Sequence, residues 1–263
     1  MRVVQHLADL YRHRALVWAL VGRELKGRYR GSAMGFLWTF LNPLMMLAVY
    51  ALVFKFYFKI NMENYTVYMF TGLLPWVFFS QALIGGAGAI TNGRALVTKV
   101  AFPQQVLPAV QVAANFINYL LSLPILIGFL LAWGVPLTPA LAAFPLVAAL
   151  HLLFIYACVL LLATANVYLR DTQHILGNLM QLWFFLTPIF YPMWFLAKVP
   201  AVLAIPVRLN PATHFTLAYH RIFFEGAWPR WDHLAIIGGL SLLLLWLAVA
   251  VFESRKDFFA ERV

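Results

Sequence analysis

A stretch without any formally charged side chain, from Val100 to Leu169, constrains this sequence more than any other feature. One helical membrane span needs about 17 to 25 residues, so the stretch is too long for a single span. Gly134, Pro136 and Pro139 lie near its middle and indicate a turn there. The stretch therefore predicts two membrane-spanning helices joined by a tight turn.

The composition of the whole chain also indicates a membrane protein. Hydrophobic residues make up 63% of the sequence and charged residues only 11%, whereas soluble proteins contain about 25% charged residues. The formal net charge of +10 comes from cations that flank apolar runs, so we read them as topological signals and expect no nucleic acid partner. Cys158 is the single cysteine, which excludes an intrachain disulfide.

Six apolar runs predict an all-α integral membrane protein with a single transmembrane domain. The predicted spans are residues 36–56, 67–90, 106–133, 140–167, 174–191 and 233–251. Residues 192–231 are apolar but are broken by prolines, which predicts short re-entrant or interfacial helices on the external side. Lysine and arginine are roughly twice as frequent on the side of the two termini, so we expect both termini in the cytoplasm.

A basic segment precedes the first span and predicts a helix that lies in the membrane interface. Trp18, Val21, Leu25 and Tyr29 share one face of this helix by their spacing, and the cations fall on another face. Glu24 lies four residues before Arg28, which is the favoured order for an ion pair on a helix. The interfacial residues predicted here are Trp18, Arg23, Glu24, Lys26, Arg28, Tyr29 and Arg30. The alternative is a basic anchor that serves only topology.

Residues 91–105, between the second and third spans, contain several polar and charged side chains. They predict a cytoplasmic loop with a short helix. The apolar side chains of Ala95, Leu96, Val97 and Phe102 would dock in a hydrophobic cleft of a partner, while Arg94 and Lys99 would fix its orientation. The alternative is a loop that only connects two helices.

The sequence lacks the groups that would power transport or catalysis within this chain. All nine acidic residues fall in tails, loops or span ends, which disfavours ion-coupled transport. No phosphate-binding loop, metal-ligand spacing or hydrolytic motif is present. His151 lies within the fourth span as a candidate proton relay or, alternatively, a packing residue. We therefore expect neither catalytic nor metal-binding residues, and any energy must come from a partner.

Aromatic and polar side chains mark two further features of the spans. Aromatic residues make up 16% of the chain, and their faces can stack on sugar rings or simply pack against lipid and neighbouring helices. Five of them form a candidate translocation path, namely Trp38, Phe40, Tyr50, Trp76 and Phe78. Gln111, Asn115 and Asn118 share one side of the third span and predict contact with other helices or a water-filled cavity.

Several motifs together resemble a known family of transporters. They are GRELKGRYRGS at residues 22–32, GFLW at 35–38, LNP at 41–43, GLLPW at 72–76, KVAFP at 99–103, NVYLRD at 166–171 and LNP at 209–211. In this order, along nearly the whole chain, they resemble the permease subunits of type-2 ABC exporters that move polysaccharides or teichoic acids.

This resemblance implies a homodimer in the bacterial inner membrane with two copies of a soluble P-loop subunit, which would bind ATP and Mg. It implies a coupling role for Arg94, Leu96, Lys99, Phe102 and Pro103, and external gate helices in residues 192–231 with Tyr191, Asn210 and Pro211. The passage would open between the first and fifth spans of the two copies.

The resemblance also implies a lipid-linked glycan as substrate, and an O-antigen-type polysaccharide is the preferred choice. Teichoic acid, capsular glycan, and a drug or small lipid remain alternatives within the same kind of exporter. An ion-coupled carrier or a membrane glycan enzyme is the competing class, and it would need the intramembrane acids or the acidic catalytic loop that this sequence lacks.

Overall fold

The computed structural model describes residues 2–29, 31, 34–54, 62–98 and 102–263, and the regular structure in these ranges is helical. The α-helices in chain order are α1 (Arg2–Arg12), α2 (Arg14–Tyr29), α3 (Trp38–Leu52), α4 (Tyr65–Ala87), α5 (Ala89–Asn92), α6 (Arg94–Val97), α7 (Val106–Ala132), α8 (Phe144–Tyr168), α9 (Thr172–Phe185), α10 (Ala201–Leu209), α11 (Pro211–Tyr219), α12 (Trp231–Arg255) and α13 (Phe259–Arg262). An all-α membrane protein is thereby confirmed.

Four helices are long and apolar enough to cross a membrane, and they match four of the predicted spans. These are α4, α7, α8 with the short 3₁₀ turn before it, and α12. Each lies between polar or proline-containing segments, which explains why the lengths of the apolar runs predicted their bounds well.

The first and fifth predicted spans are shorter helices than expected. Helix α3 has 15 residues, and the predicted end of its span at residues 55–56 lies outside the described residues. Helix α9 has 14 residues and ends at Phe185, six residues before the predicted end of that span. Pro188 follows this end and has no backbone N–H for a helical hydrogen bond. Six full crossings therefore stay a prediction.

The long helices form one bundle with α4 at its centre, in which α7 runs antiparallel to α4 whereas α8 runs parallel to α4 and to α12. Helix α4 packs against α7 and α8, and α8 packs along α12. Most side chains of α4 are buried, as expected for a helix that is apolar on most of its surface. Gly86 allows the close approach of α8, because a Cβ atom there would lie 2.5 Å from a methyl group of Val159. Gly86 thus serves the packing of α4 on α8.

Both chain termini lie at one end of this bundle, which we call the termini-bearing end. Helix α1 packs against α12 at this end, so the first residues form a docked helix. Helix α2 follows and packs along α7 through Val21, Val106 and Val110. Trp18 was expected on the same face as Val21, but its side chain is 62% exposed, because only part of the apolar face of α2 meets α7.

Short helices fill the segment between α9 and α12, as the prolines predicted. A 3₁₀ turn at Met193–Lys198 precedes α10, and α11 continues into a single π-helical turn at His220–Phe224. Pro211 opens α11 at a position where a missing N–H costs nothing. This segment lies at the opposite end of the bundle from the termini.

Candidate functional site

The first candidate surface is the loop at the termini-bearing end that contains α5 and α6. Arg94 is exposed there, whereas Val97 is buried. Leu96 and Phe102 are partly buried and pack against the main hydrophobic core of their own chain, so their side chains stabilise the loop. Pro103 is half-buried beside them. Arg94 is therefore the coupling candidate that points to the surface, and Lys99 lies outside the described residues.

The C-terminal tail packs against this loop, a contact that the sequence did not predict. Helix α13 packs against α6 and α8, and the Phe259 side chain is fully buried with its ring 5.4 Å from that of Phe252. The guanidinium carbons of Arg255 and Arg262 each lie 5.7 Å from the centre of the Tyr168 ring, within cation–π range. A phenylalanine pair in a short charged tail was the available signal.

Helix α1 is fixed to the same tail by a buried histidine. His6 is 1% exposed; its Nδ1 lies 2.8 Å from Glu253 Oε1 and its Nε2 lies 2.8 Å from the Tyr156 hydroxyl. Lys256 Nζ contacts the other oxygen of Glu253 at 2.6 Å. The two ends of the chain and α8 thus form one connected polar cluster at the termini-bearing end.

We expect Phe259→Ala to release α13 from α6. Loss of a fully buried phenylalanine costs about 3 to 5 kcal/mol. A four-residue helix is too short to be stable without such packing, so α13 should detach. The measurement is limited proteolysis of the C-terminal tail in the purified protein, with faster cleavage expected. Phe258→Ala is the matched control, since that neighbouring ring is 53% exposed. Equal cleavage rates for both variants would contradict the role of Phe259 in holding α13 on α6.

The second candidate site joins the interfacial helix to the polar side of the third span. Arg28, near the end of α2, donates to Asn115 Oδ1 at 2.8 Å and to Gln111 Oε1 at 3.2 Å. Its Nε donates to Glu24 at 3.2 Å, which confirms the predicted helical ion pair. Gln111 and Asn115 of α7 thus face α2, and Arg28 fixes α2, the predicted interfacial helix, to α7.

A cavity of about 190 Å³ lies beside Arg28, between α3, α4 and α7. Its polar walls come from Asn42 and Thr39 of α3, Gln81 of α4, and Asn115, Asn118 and Ser122 of α7. Trp38, Phe78 and Tyr119 supply aromatic walls. Arg28 is the one formally charged side chain among the described residues that line it. The predicted alternative of a polar cavity beside the third span is therefore realised within this single chain.

The other interfacial residues lie along the exposed side of α2. Trp18, Arg23 and Lys26 border a shallow surface groove, and both cations are exposed. Arg30 lies outside the described residues, and for Tyr29 only the backbone is described. Trp18 thus lies on the same side as these cations, so the prediction that placed Trp18 and the cations on different faces is wrong.

The candidate path residues occupy different environments. Trp76 and Phe78 are buried inside the chain, and Phe78 stacks on Tyr119 with ring centres 5.3 Å apart. Tyr50 stacks on Phe184 of α9 at 5.1 Å, so α3 and α9 are neighbours within one subunit. Trp38 lines the cavity, and Phe40 is half-buried. Their role along a passage stays a prediction.

The gate candidate Asn210 holds the ends of three elements together. Its Oδ1 accepts hydrogen bonds from Trp183 Nε1 at 2.7 Å and from the Ala212 backbone N–H at 2.9 Å. Its Nδ2 donates to the Leu186 carbonyl at 3.1 Å and to Thr187 Oγ1 at 3.0 Å. Asn210 therefore caps α11 and fixes it to the end of α9.

Tyr191 and Pro211 lie beside this amide. The carbonyl of Tyr191 accepts a hydrogen bond from the Tyr68 hydroxyl at 3.2 Å, which ties the segment after α9 to α4. Pro211 is the first residue of α11. The structure thus brings Asn210 and Pro211 together and places Tyr191 on a separate contact with α4.

Two buried histidines stabilise the same half of the bundle, and the sequence reasoning singled out only one. His151 stacks on Phe215 at 4.4 Å between ring centres, which favours the packing interpretation over a proton relay. His220 stacks on Tyr68 at 4.0 Å, with Nδ1 2.8 Å from Thr71 Oγ1 and Nε2 3.1 Å from the Pro188 carbonyl. His220 therefore fixes the π-helical turn to α4.

A third histidine lies on the surface of the short-helix segment. His214 Nδ1 lies 3.2 Å from Nδ1 of His233, at the start of α12. Burial, and then the charge of His233, lower the pKa of His214 below its ordinary value. Within the described ranges, no group of three His, Cys, Asp or Glu side chains is arranged to hold a metal ion.

Comparison with known proteins identifies the family. The model of the ABC-2 type transporter family matches residues 15–224. An O-antigen export system permease protein RfbA from Myxococcus xanthus is 43% identical over 261 residues, 99% of this chain and 100% of the relative. A protein of the same name from Klebsiella pneumoniae is 26% identical, covering 94% of each chain. The capsule polysaccharide export inner-membrane protein CtrC of Neisseria meningitidis is 32% identical over 91 residues, about a third of each chain.

The family match includes the loop with α5 and α6 and nearly all of α2, and it excludes α1 and the C-terminal tail. It also covers the Arg28 cavity and the Asn210 cap. The match over most of the chain and the full-length similarity lead to one conclusion: the chain belongs to the ABC-2 type transporter family.

Proposed function

We propose that this chain is the membrane-spanning subunit of an ATP-driven exporter that moves lipid-linked, O-antigen-type polysaccharide across the bacterial inner membrane. The observation that carries the proposal is the 43% identity to an O-antigen export permease along the entire length of both chains. Similarity to the capsule export protein covers only a third of the chain, so capsular glycan is the second choice of substrate.

The assembly that we propose is a homodimer with two copies of a soluble ATP-binding subunit. ATP and Mg would bind to that subunit, because this sequence has no phosphate-binding loop. The termini-bearing end would face the cytoplasm, in agreement with the excess of Lys and Arg there. Residues 192–231 would then lie on the external side as gate helices.

The coupling surface in this proposal is the exposed side of α6 together with α13, which packs against it. Arg94 would contact the ATP-binding subunit, and a force on α6 would reach α12 and α8 through α13. Leu96 and Phe102 would transmit movement to the core because they pack against it. Helix α2 would follow the same movement through the Arg28 contacts with α7.

The passage in this proposal lies between α3 and α9 of the two copies. Tyr50 and Phe184 already meet within one subunit, so aromatic side chains of α3 and α9 are close together where the copies would join. Stacking of this kind allows sliding, since aromatic faces bind sugar rings without fixing a register.

The test is deletion of the gene in its native host, followed by analysis of surface polysaccharide and of lipid-linked glycan in the inner membrane. We expect the surface polysaccharide to disappear while the lipid-linked precursor accumulates inside, and both to be restored by the intact gene. Unchanged surface polysaccharide in the deletion strain would contradict the proposed function. Loss of capsule with O-antigen retained would select the second substrate.

A further inference from the structure

The helical path from α4 into the loop with α5 and α6 is interrupted at Gly88. The N–H of Gly88 donates to the carbonyl of Gly86, two residues back. In a continuous α-helix it would donate to the carbonyl of Ile84, four residues back. The break therefore lies between the central helix of the bundle and the loop that carries the coupling candidate Arg94.

Gln173, in the first turn of α9, packs into this break. Its Nε2 donates to the Ile84 carbonyl at 3.2 Å, the acceptor that a continuous helix would use for the Gly88 N–H. A Cβ atom on Gly88 would lie 2.9 Å from Gln173 Oε1 and 3.1 Å from its Nε2, so the amide rests directly on the glycine. The start of α9 is therefore fixed at the break itself.

A second hydrogen-bonded contact holds the other side of the break. Asn166, near the end of α8, donates from Nδ2 to the Thr91 hydroxyl of α5 at 3.1 Å. That hydroxyl donates in turn to the Gly88 carbonyl at 3.1 Å. Only residues 169–171 separate α8 from α9, so the end of one helix and the start of the next both contact the segment around Gly88.

Helix α9 connects this contact to the proposed passage. Phe184 lies eleven residues after Gln173, which is about 16 Å along the axis of an α-helix, and its ring stacks on Tyr50 of α3 at 5.1 Å. A helix of this length behaves as a rigid element, so a displacement of its first turn also moves its last turn. The break at Gly88 is thus linked to the aromatic pair between α3 and α9.

We propose that Gln173 is the positioning residue that couples the loop with α5 and α6 to α9. The inference rests on the proposed function, in which the ATP-binding subunit moves α6. That movement would change the backbone at Gly88, and the Gln173 amide would transmit the change to the start of α9. Gln173 touches neither nucleotide nor glycan in this proposal, so its loss should lower the amount of glycan moved for each ATP and leave hydrolysis intact.

The test measures the lipid-linked glycan transported per ATP hydrolysed by the complete complex in proteoliposomes. Gln173→Glu keeps the size of the side chain but replaces its N–H donor by a carboxylate oxygen, which the Ile84 carbonyl repels at about pH 8. Loss of this hydrogen bond is expected to lower the ratio about threefold to tenfold. ATP hydrolysis and copurification of the ATP-binding subunit should stay at the wild-type level. An unchanged ratio would overturn the proposal.

Gln5→Glu is the matched control, because Gln5 is exposed on α1 at the same end of the bundle. The same change of charge there should leave the ratio at the wild-type value. Thermal unfolding separates coupling from folding, since an acidic residue in the first turn of α9 interacts favourably with the helix dipole. Gln173→Glu should therefore melt close to the wild type, and Gln173→Ala is the second variant, with the same loss of ratio expected. If both variants melt far lower and lose hydrolysis together with transport, Gln173 only stabilises the fold and the proposal is overturned.

Gly88→Ala tests the same contact from the other side. The backbone at Gly88 has φ −81° and ψ −1°, which alanine adopts without strain, but the new methyl group would displace the Gln173 amide. Asn92, whose Nδ2 would lie 2.7 Å from that methyl group, is exposed and can move aside. Gly88→Ala should therefore lower the ratio like the Gln173 variants, and it should add nothing in a Gln173→Ala chain. Reductions that multiply in the double variant would refute the shared contact.

The wild-type complex distinguishes failure of this inference from failure of the proposed function. ATP-dependent glycan transport by the wild type, with an unchanged ratio in both Gln173 variants, refutes this inference alone. Hydrolysis of ATP without transport of the lipid-linked glycan by the wild type refutes the proposed function, and the inference falls with it.

Discussion

Alanine in place of Asn210 is expected to lower the stability of the purified permease by about 2 to 5 kcal/mol and to abolish polysaccharide export. The side chain makes four hydrogen bonds that join the end of α9 to the start of α11. Its removal costs the helix cap about 1 kcal/mol and leaves the N–H of the partly buried Trp183 without its acceptor. The measurement is thermal unfolding in detergent together with surface polysaccharide in complemented cells.

Asn210→Asp provides the matched comparison. The carboxylate keeps the acceptor for Trp183 and Ala212 but loses the donor to Leu186 and Thr187, so we expect intermediate stability. Asn178→Ala is the control on α9, where the side chain is exposed, and its stability should stay within about 0.5 kcal/mol of the wild type. An Asn210→Ala variant as stable as this control would show that the capping network does not hold the segment.

Reversal of charge at Arg94 is expected to reduce export at least about tenfold without loss of the permease from the membrane. Arg94 is exposed on α6, so glutamate there leaves the fold intact but places a like or unpaired charge in the proposed interface, which costs about 2 to 5 kcal/mol of binding. The measurement is the amount of ATP-binding subunit that copurifies with the tagged permease.

Arg12→Glu controls for the change of net charge. Arg12 lies at the same end of the bundle on α1, pairs loosely with Asp9 at 3.5 Å, and is exposed. Its reversal should leave copurification unchanged, because exposed ion pairs contribute little. If both variants retain the ATP-binding subunit equally and export normally, the coupling role of Arg94 is refuted.

The sequence was sufficient for the long helices because their signal is local. Apolar runs bounded by polar residues predicted α4, α7, α8 and α12 to within a few residues. The same local reasoning placed Gln111, Asn115 and Asn118 on one side of α7 and Glu24 beside Arg28. The motif order then indicated the family, and the comparisons confirmed it.

Contacts between distant parts of the chain were beyond this reasoning. His6 meets Glu253 and Tyr156 across almost the whole sequence, and α13 reaches α6 only after the bundle has formed. No periodicity within a short polar tail reports such a contact. The pairing of Arg28 with Asn115 beside the cavity likewise required the packing of α2 on α7.

The ends of some helices were also predicted less well, because the apolar composition of the sequence continues past the last helical residue. Residues 186–191 are as apolar as α9 itself, so the span was extended beyond Phe185. Trp18 was grouped with Val21 by helical spacing, yet the two side chains have different surroundings, one exposed and one buried. Spacing defines a face but does not tell which part of that face another helix covers.

The central claim is that this chain exports a lipid-linked glycan with energy from a separate ATP-binding subunit. The most direct measurement reconstitutes the purified complex into proteoliposomes and follows a lipid-linked O-antigen oligosaccharide across the bilayer. The account predicts transport that requires ATP, the ATP-binding subunit and this chain together. Transport by this chain alone, or no transport by a complex that hydrolyses ATP and contains the lipid-linked glycan, would contradict it.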